Sequence, residues 1–189
     1  PSGTVVSKGR GSGFLAFPEE LDRFLYEIFQ KTGAPLSIKT RLGREDPGEF
    51  PEILKIYNKY PVHELTIHPR VQKDAYRNRP DWDMFERALE WSANPVCYNG
   101  DIRTCEDYER FPTVDRIMIG RGLIADPGLV RQIRTGKALM PEERLAFVDK
   151  LCEGYEEIMP GEPALFKMKE VWSYLCGSLP EGGKLWKRI

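Results

Sequence analysis

"VCYNGDIRT" spans residues 96–104 and "RIMIGRGLIADP" spans 116–127. Each opens as a short apolar run and stops in a knot of glycine and polar groups, Asn99-Gly100-Asp101 in one and Gly120-Arg121-Gly122 in the other. A strand that ends in such a turn and gives way to a helical pattern is one βα unit. Working outward, two more runs of the same kind lie upstream, "LSIKT" at 36–40 and "ELTIH" at 64–68, beside the two just quoted, "PVCYN" at 95–99 and "DRIMIG" at 115–120. Amphipathic helical patterns separate them. Residues 18–33 carry Leu21, Phe24, Leu25, Ile28 and Phe29 on one face, with Pro18 suited to the first turn and Gly33 to the position past the end. Further helices fit 47–60 (Phe50, Ile53, Leu54 and Tyr57 inward), 81–93 (Phe85, Ala88 and Leu89 inward) and a short stretch after Thr104, which Thr-x-x-Asp caps.

Strands alternating with helices at this spacing imply a parallel sheet. Eight such units, about 250 residues, close a (β/α)8 barrel. Four are visible, so the expected fold is α/β: the C-terminal half of a (β/α)8 TIM barrel, with four parallel strands. After 126 the pattern changes to helices at 127–135, 141–159 and 163–176 with no strand between them, which predicts a small all-α helical domain. In 141–159 the expected inward residues are Leu145, Val148, Leu151, Cys152, Tyr155 and Ile158. The boundary falls in "TGKALMPEE", giving a partial barrel over 1–137 and a helical domain over 138–189.

The chain has 189 residues, of which 41% are hydrophobic and 30% charged, a composition that excludes a disordered chain. No apolar run reaches the length of a membrane span. The opening "PSGTVVSKGR" is polar, Gly-rich and without Met, which predicts a start cut from a longer protein rather than a signal peptide. A net charge of −1 does not advertise nucleic acid as a partner. Arg77, Arg79, Arg131, Arg134, Lys137, Lys184, Lys187 and Arg188 read as a solvated face or a local RNA surface. Trp82, Trp91, Trp172 and Trp186 read as packing residues. Cys97, Cys105, Cys152 and Cys176 lie far apart and only two His are present. Reduced thiols in a cytoplasmic protein, and no metal site, follow from that spacing.

The chemistry concentrates at strand ends, which form the catalytic face of an α/β barrel, with phosphate commonly held after the last two strands. Glycine lets backbone N–H groups approach an anion, and Arg121 offers a forked contact. Ordinary βα turns use the same residues, but two such corners at consecutive strand ends favour a phosphate. In "SIKTRLG" alternation puts Lys39 and Arg41 on one side, the lumen of a barrel, where an anionic cofactor would partner a costly charge. His68 ends the second strand in line with Lys39, Asn99 and Gly120, and Arg70 follows at the mouth. Motifs of a nucleophile or metal hydrolase are missing.

In this order and spacing, "SIKTRLG", "LTIHPR", "YNGDI" and "IMIGRGLIADP" resemble the tRNA-dihydrouridine synthases. "PSGTVVSKGRGSGFLAFPEEL" resembles the stretch after that family's Gly-Cys-Pro loop, and "MKEVWSYLCGSLPEGGKLWKRI" the end of its helical RNA-binding domain. The resemblance implies an FMN-dependent oxidoreductase, with NADPH as reductant, that reduces the C5–C6 bond of selected uridines in tRNA. By motif, Lys39 contacts the flavin ring, while His68, Asn99, Gly100, Asp101, Gly120 and Arg121 hold the ribityl chain and phosphate. Arg41 and Arg70 face the target uridine or its backbone. Such a uridine must be swung out of the folded tRNA, and a positioned acid then protonates C5.

Two departures from the family stand in the sequence. Pro1 matches the Pro of Gly-Cys-Pro, so the family's catalytic Cys would precede it and no catalytic acid is expected within these 189 residues. Val171 stands where the family commonly carries a His, while Lys169 fits a basic position. The expectation is a chain inactive alone, whose unpaired sheet edges invite self-association or a partner supplying the N-terminal half barrel. Two rival readings remain at this level: another FMN-dependent TIM-barrel oxidoreductase, and a non-catalytic tRNA-binding fragment.

Overall fold

A computed structural model describes residues 3–179 together with 183, 184 and 187. The expectations placed on Pro1, Trp186 and Arg188 lie outside the described residues. Two compact units divide the chain. The first takes the chain through Gly100 together with Val114–Met118, and the second takes Asp101–Thr113 together with the chain from Ile119 onward.

The first unit opens with the short helix α1 (Gly3–Ser7) and a 3-10 turn at Gly11–Ala16. Helix α2 (Pro18–Lys31) follows, with Pro18 at its start, Glu19 and Glu20 in the first turn and Lys31 in the last, the charge order that complements the helix dipole. It ends at Lys31, short of the expected Gly33. Leu21 and Leu25 are buried, while Phe24 stays half-exposed and meets Phe14 edge-on at 5.5 Å.

Strand β1 (Ser37–Gly43) leads to a 3-10 turn at Pro47–Glu49, which Asp46 and Glu49 cap reciprocally, and then to α3 (Phe50–Tyr57). Strand β2 (Glu64–Val71), helix α4 (Trp82–Trp91, capped by Asp81) and strand β3 (Val96–Tyr98) complete the series. The three strands form one parallel sheet in the order β1-β2-β3. Lys39 pairs with Thr66 and Arg41 with His68; Thr66 in turn pairs with Cys97, and Ile67 with Tyr98. The β1–β2 register shifts between Arg41 and Gly43, so that β2 carries an extra residue there. Pro69 lies in that stretch and has no N–H to give to a ladder, which suits it to an irregularity.

Alternation makes this sheet two-faced. Leu42, Leu65, Ile67 and Tyr98 fall on the face covered by helices, against Phe50, Ile53, Leu54, Tyr57, Phe85 and Ala88, all of which are buried. Tyr98 packs edge-on against Phe85 at 4.9 Å, and the Tyr57 hydroxyl donates to Thr40 Oγ1 at 3.0 Å. Burial pushes the Tyr57 hydroxyl up to about 12, so it stays a neutral donor. The opposite face carries Lys39, Arg41, Thr66, His68, Arg70 and Cys97.

The expected fourth strand, 115–120, survives among the described residues as one parallel bridge between Tyr98 and Ile117. Two backbone bonds frame it, Tyr98 N–H to Arg116 O at 2.9 Å and Met118 N–H to Tyr98 O at 2.7 Å. The ladder ends because its neighbour does. β3 is three residues long, and the Gly100–Asp101 turn, with Asp101 at φ +36°, takes the chain out of the sheet.

In the second unit, α5 (Cys105–Glu109) carries the expected Thr104–Asp107 capping box. Helix α6 (Arg121–Ala125) was not foreseen in the sequence. Helices α7 (Leu129–Thr135), α8 (Pro141–Ile158) and α9 (Glu162–Leu175) match the three expected there. Val148, Met168 and Leu175 form a small core, with Leu151, Tyr155, Val171 and Trp172 packed on it. Leu145, Cys152 and Ile158 of α8 are exposed instead of inward, because that core covers only a narrow stripe of the helix. None of the described helices is long and apolar enough to cross a membrane.

Candidate functional site

The polar face of the sheet gathers most of the expected site residues of the first unit. Lys39 Nζ donates to Asn99 Oδ1 at 2.6 Å. The same amide's Nδ2 donates to Met118 O at 2.7 Å, which fixes Oδ1 toward the lysine. Protein surroundings first, and the like charge of Arg41 second, lower the Lys39 pKa from its ordinary value. An anionic group beside the ammonium would counter both effects.

Arg41 and Arg70 are 6% and 3% exposed, and His68 is 6% exposed. Arg41 donates Nη1 to Val71 O at 2.7 Å and Nη2 to Ala75 O at 2.9 Å. Its guanidinium carbon lies 5.5 Å from the centre of the Tyr76 ring, a cation–π distance. Arg70 donates Nε to Asn78 O at 2.5 Å, and its Nη1 lies 3.0 Å from His68 Nε2. A guanidinium has only donors, so His68 Nε2 accepts and the ring carries its proton on Nδ1. Tyr76 also lies over His68, with ring centres 5.9 Å apart.

Gly100 closes this group. A Cβ there would stand 2.9 Å from the Tyr98 hydroxyl and 3.1 Å from Pro80, so a side chain has no room. In the second unit Arg121 Nη2 pairs with Asp101 Oδ1 at 2.9 Å, both side chains being about one-third exposed. Gly120 has open space where a Cβ would go, whereas at Gly122 a Cβ would fall 2.1 Å from Ile102 O.

Lys39 and Asn99, His68 and Arg70, and Asp101 and Arg121 are thus direct partners. Sequence reasoning missed Tyr76, the exposed aromatic over Arg41 and His68, and Asn78, whose carbonyl receives Arg70. A lone tyrosine in the polar run "QKDAYRNR" was the available signal. Cys97 shares the polar face but is 4% exposed, and burial pushes its thiol pKa up.

A model of the dihydrouridine synthase family matches residues 1–170. A tRNA-dihydrouridine(16) synthase of Aquipseudomonas alcaligenes is 29% identical over 154 residues, covering 79% of this chain and 49% of that protein. One from Shewanella oneidensis is 28% identical over 197 aligned residues, covering all of this chain and 62% of that protein. The tRNA-dihydrouridine synthase B of Pasteurella multocida is 30% identical over 135 residues, covering 69% and 41%. The chain therefore spans about half the length of these curated relatives.

Proposed function

The chain belongs to the dihydrouridine synthase family, and from that premise we propose that it is the flavin-proximal, C-terminal part of a tRNA-dihydrouridine synthase. In this reading it contributes half of a (β/α)8 barrel and, over 138–189, a helical domain that meets tRNA. The observation that carries the proposal is the Lys39–Asn99 pair on the polar sheet face, with Arg41, His68 and Arg70 clustered beside it.

The donor set fits FMN. Lys39 makes no ion pair among the described residues, so its charge and remaining N–H donors are available to an electron-rich cofactor edge. FMN, reduced by NADPH, supplies the hydride chemistry. Asn99, anchored on Met118 O, orients the lysine. His68 is held in place by Arg70, whose Nη1 lies 3.0 Å from its Nε2. Gly100 keeps the strand end free of a side chain. In the second unit Gly120 and Arg121 are assigned to the phosphate by the motif they share with the family, with the Arg121 guanidinium held by Asp101 at 2.9 Å. Arg41 and Arg70 serve the side that receives the target uridine.

None of the chain's four cysteines is assigned the proton transfer to C5. Cys97 and Cys176 are buried, and the family's acid belongs by resemblance to the Gly-Cys-Pro loop. The 189 residues are therefore proposed to bind without turning over. The test combines tRNA lacking dihydrouridine, FMN and NADPH with the purified chain. Retention of tRNA without dihydrouridine formation is expected. NADPH-dependent product would overturn the assignment of the acid, and absence of tRNA affinity would overturn the substrate.

A further inference from the structure

The loop that follows β2, residues 72–79, is polar and exposed for most of its length, yet it is tied down at many points. Gln72 N–H reaches back to Gly43 O at 2.8 Å and Lys73 N–H to Arg44 O at 3.0 Å. Within the loop Ala75 N–H bonds Gln72 O and Arg77 N–H bonds Asp74 O. The Asp74 carboxylate accepts from Asn78 Nδ2 at 2.5 Å. Ala75 holds φ +51°, an uncommon backbone state for a residue with a Cβ, which surrounding contacts must maintain.

The strongest of those contacts come from beneath. Both terminal nitrogens of Arg41 are spent on backbone carbonyls, those of Val71 and Ala75, and Nε of Arg70 is spent on that of Asn78. Charge-assisted bonds of this kind are stronger than neutral ones, and the planar fork of arginine sets direction as well as distance. At 6% and 3% exposure, these guanidiniums have little surface left for a large ligand. What the loop does expose is Tyr76, with Arg77 and Arg79 following it.

We infer that Arg41 and Arg70 are positioning residues: they brace loop 72–79 through its carbonyls, so that Tyr76, Arg77 and Arg79 meet the RNA in one preset shape. The partner named here rests on the tRNA reading above; the bracing does not. A preset loop binds more tightly than a mobile one because less ordering is left to do on contact.

Hydrogen exchange on the 189-residue chain tests the bracing. In Arg41→Ala and Arg70→Ala, amides of 72–79 should exchange at least about tenfold faster, since each loses a brace, with those of β2 residues 65–67 unchanged as the control for folding. Arg41→Lys and Arg70→Lys, which keep the charge but not the fork, should fall between. The tRNA arm uses Asp74→Ala, which loosens the loop with both arginines intact and deletes a negative charge. Coulomb attraction alone predicts tighter tRNA binding for that variant; bracing predicts binding several-fold weaker. Unchanged loop exchange in both alanine variants, or tighter tRNA binding by Asp74→Ala, would overturn the inference. A wild-type chain without tRNA affinity would remove the RNA reading and leave the exchange result to decide the bracing.

Discussion

The two glycines of "GRG", residues 120–122, look alike in sequence and should respond unequally to the same substitution. In Gly122→Ala the new Cβ would sit 2.1 Å from Ile102 O and 3.1 Å from Ile102 C. The obstacle is backbone, which cannot swing aside as a side-chain tip can. An ordinary contact is well over an ångström longer, so the start of α6 must move away from residue 102. Overpacking of this kind costs about 2–3 kcal/mol, equivalent to roughly 4–12 °C in Tm for a chain of this size. Gly120→Ala meets nothing within 4 Å; its penalty is backbone strain alone, because φ −105° with ψ −99° lies outside the regions open to a residue with a Cβ. It should cost about 1 kcal/mol, the low end for such strain. Urea titrations and thermal melts of the two variants beside the wild type measure the difference. The displacement would also carry Arg121 away from Asp101, so flavin affinity should fall further in Gly122→Ala than in Gly120→Ala. Equal stability of the two variants would refute the close approach of α6 to residue 102.

Other predictions concern single groups. The Arg131 fork, at 2.7 Å from both Glu143 oxygens, and the Met140 N–H hold the Glu143 carboxyl down at about 2. A folded pKa below the unfolded one stabilises above the unfolded value, near pH 4.3, and that support is lost as pH falls toward 2. Melting curves from pH 7 to 2 should show Glu143→Gln less stable than wild type at neutral pH, with the gap closing at the acid end. Tyr57→Phe removes the bond to Thr40 Oγ1 while that hydroxyl keeps its bond to Arg41 O at 2.9 Å. The expected loss is about 0.5–1.5 kcal/mol in urea denaturation. Because Lys39 is charged only below its lowered pKa, flavin affinity should decline on raising pH from 7 before the ordinary lysine value of 10.5 is reached, as a fluorescence titration would record.

Much of the sheet was legible because its signals are local. Alternation in "SIKTRLG" placed Lys39 and Arg41 on one face, and the strand-end position of His68 set it level with them, as the pairing of Arg41 with His68 bears out. The Lys39–Asn99 bond joins two strand ends expected to lie together. What was not legible depends on tertiary context. "DRIMIG" has the composition of a strand, but its ladder length is set by β3, which stops at Tyr98. The five residues of α6 are too few to show a helical period. Leu145 and Ile158 keep helical spacing with Val148, yet whether each is covered depends on the size of the facing core. Tyr76 joins the site through Arg41, which lies over its ring and holds the neighbouring Ala75 carbonyl, a contact across 34 residues that periodicity cannot reveal.

The central claim, that the polar sheet face around Lys39 and Asn99 receives a flavin, is tested most directly by equilibrium titration of FMN into the purified chain and into Lys39→Met, followed by flavin fluorescence. Saturable binding by the wild type, weakened at least tenfold in the variant, is the predicted result. No binding by the wild type, or equal affinity in the two proteins, would contradict it.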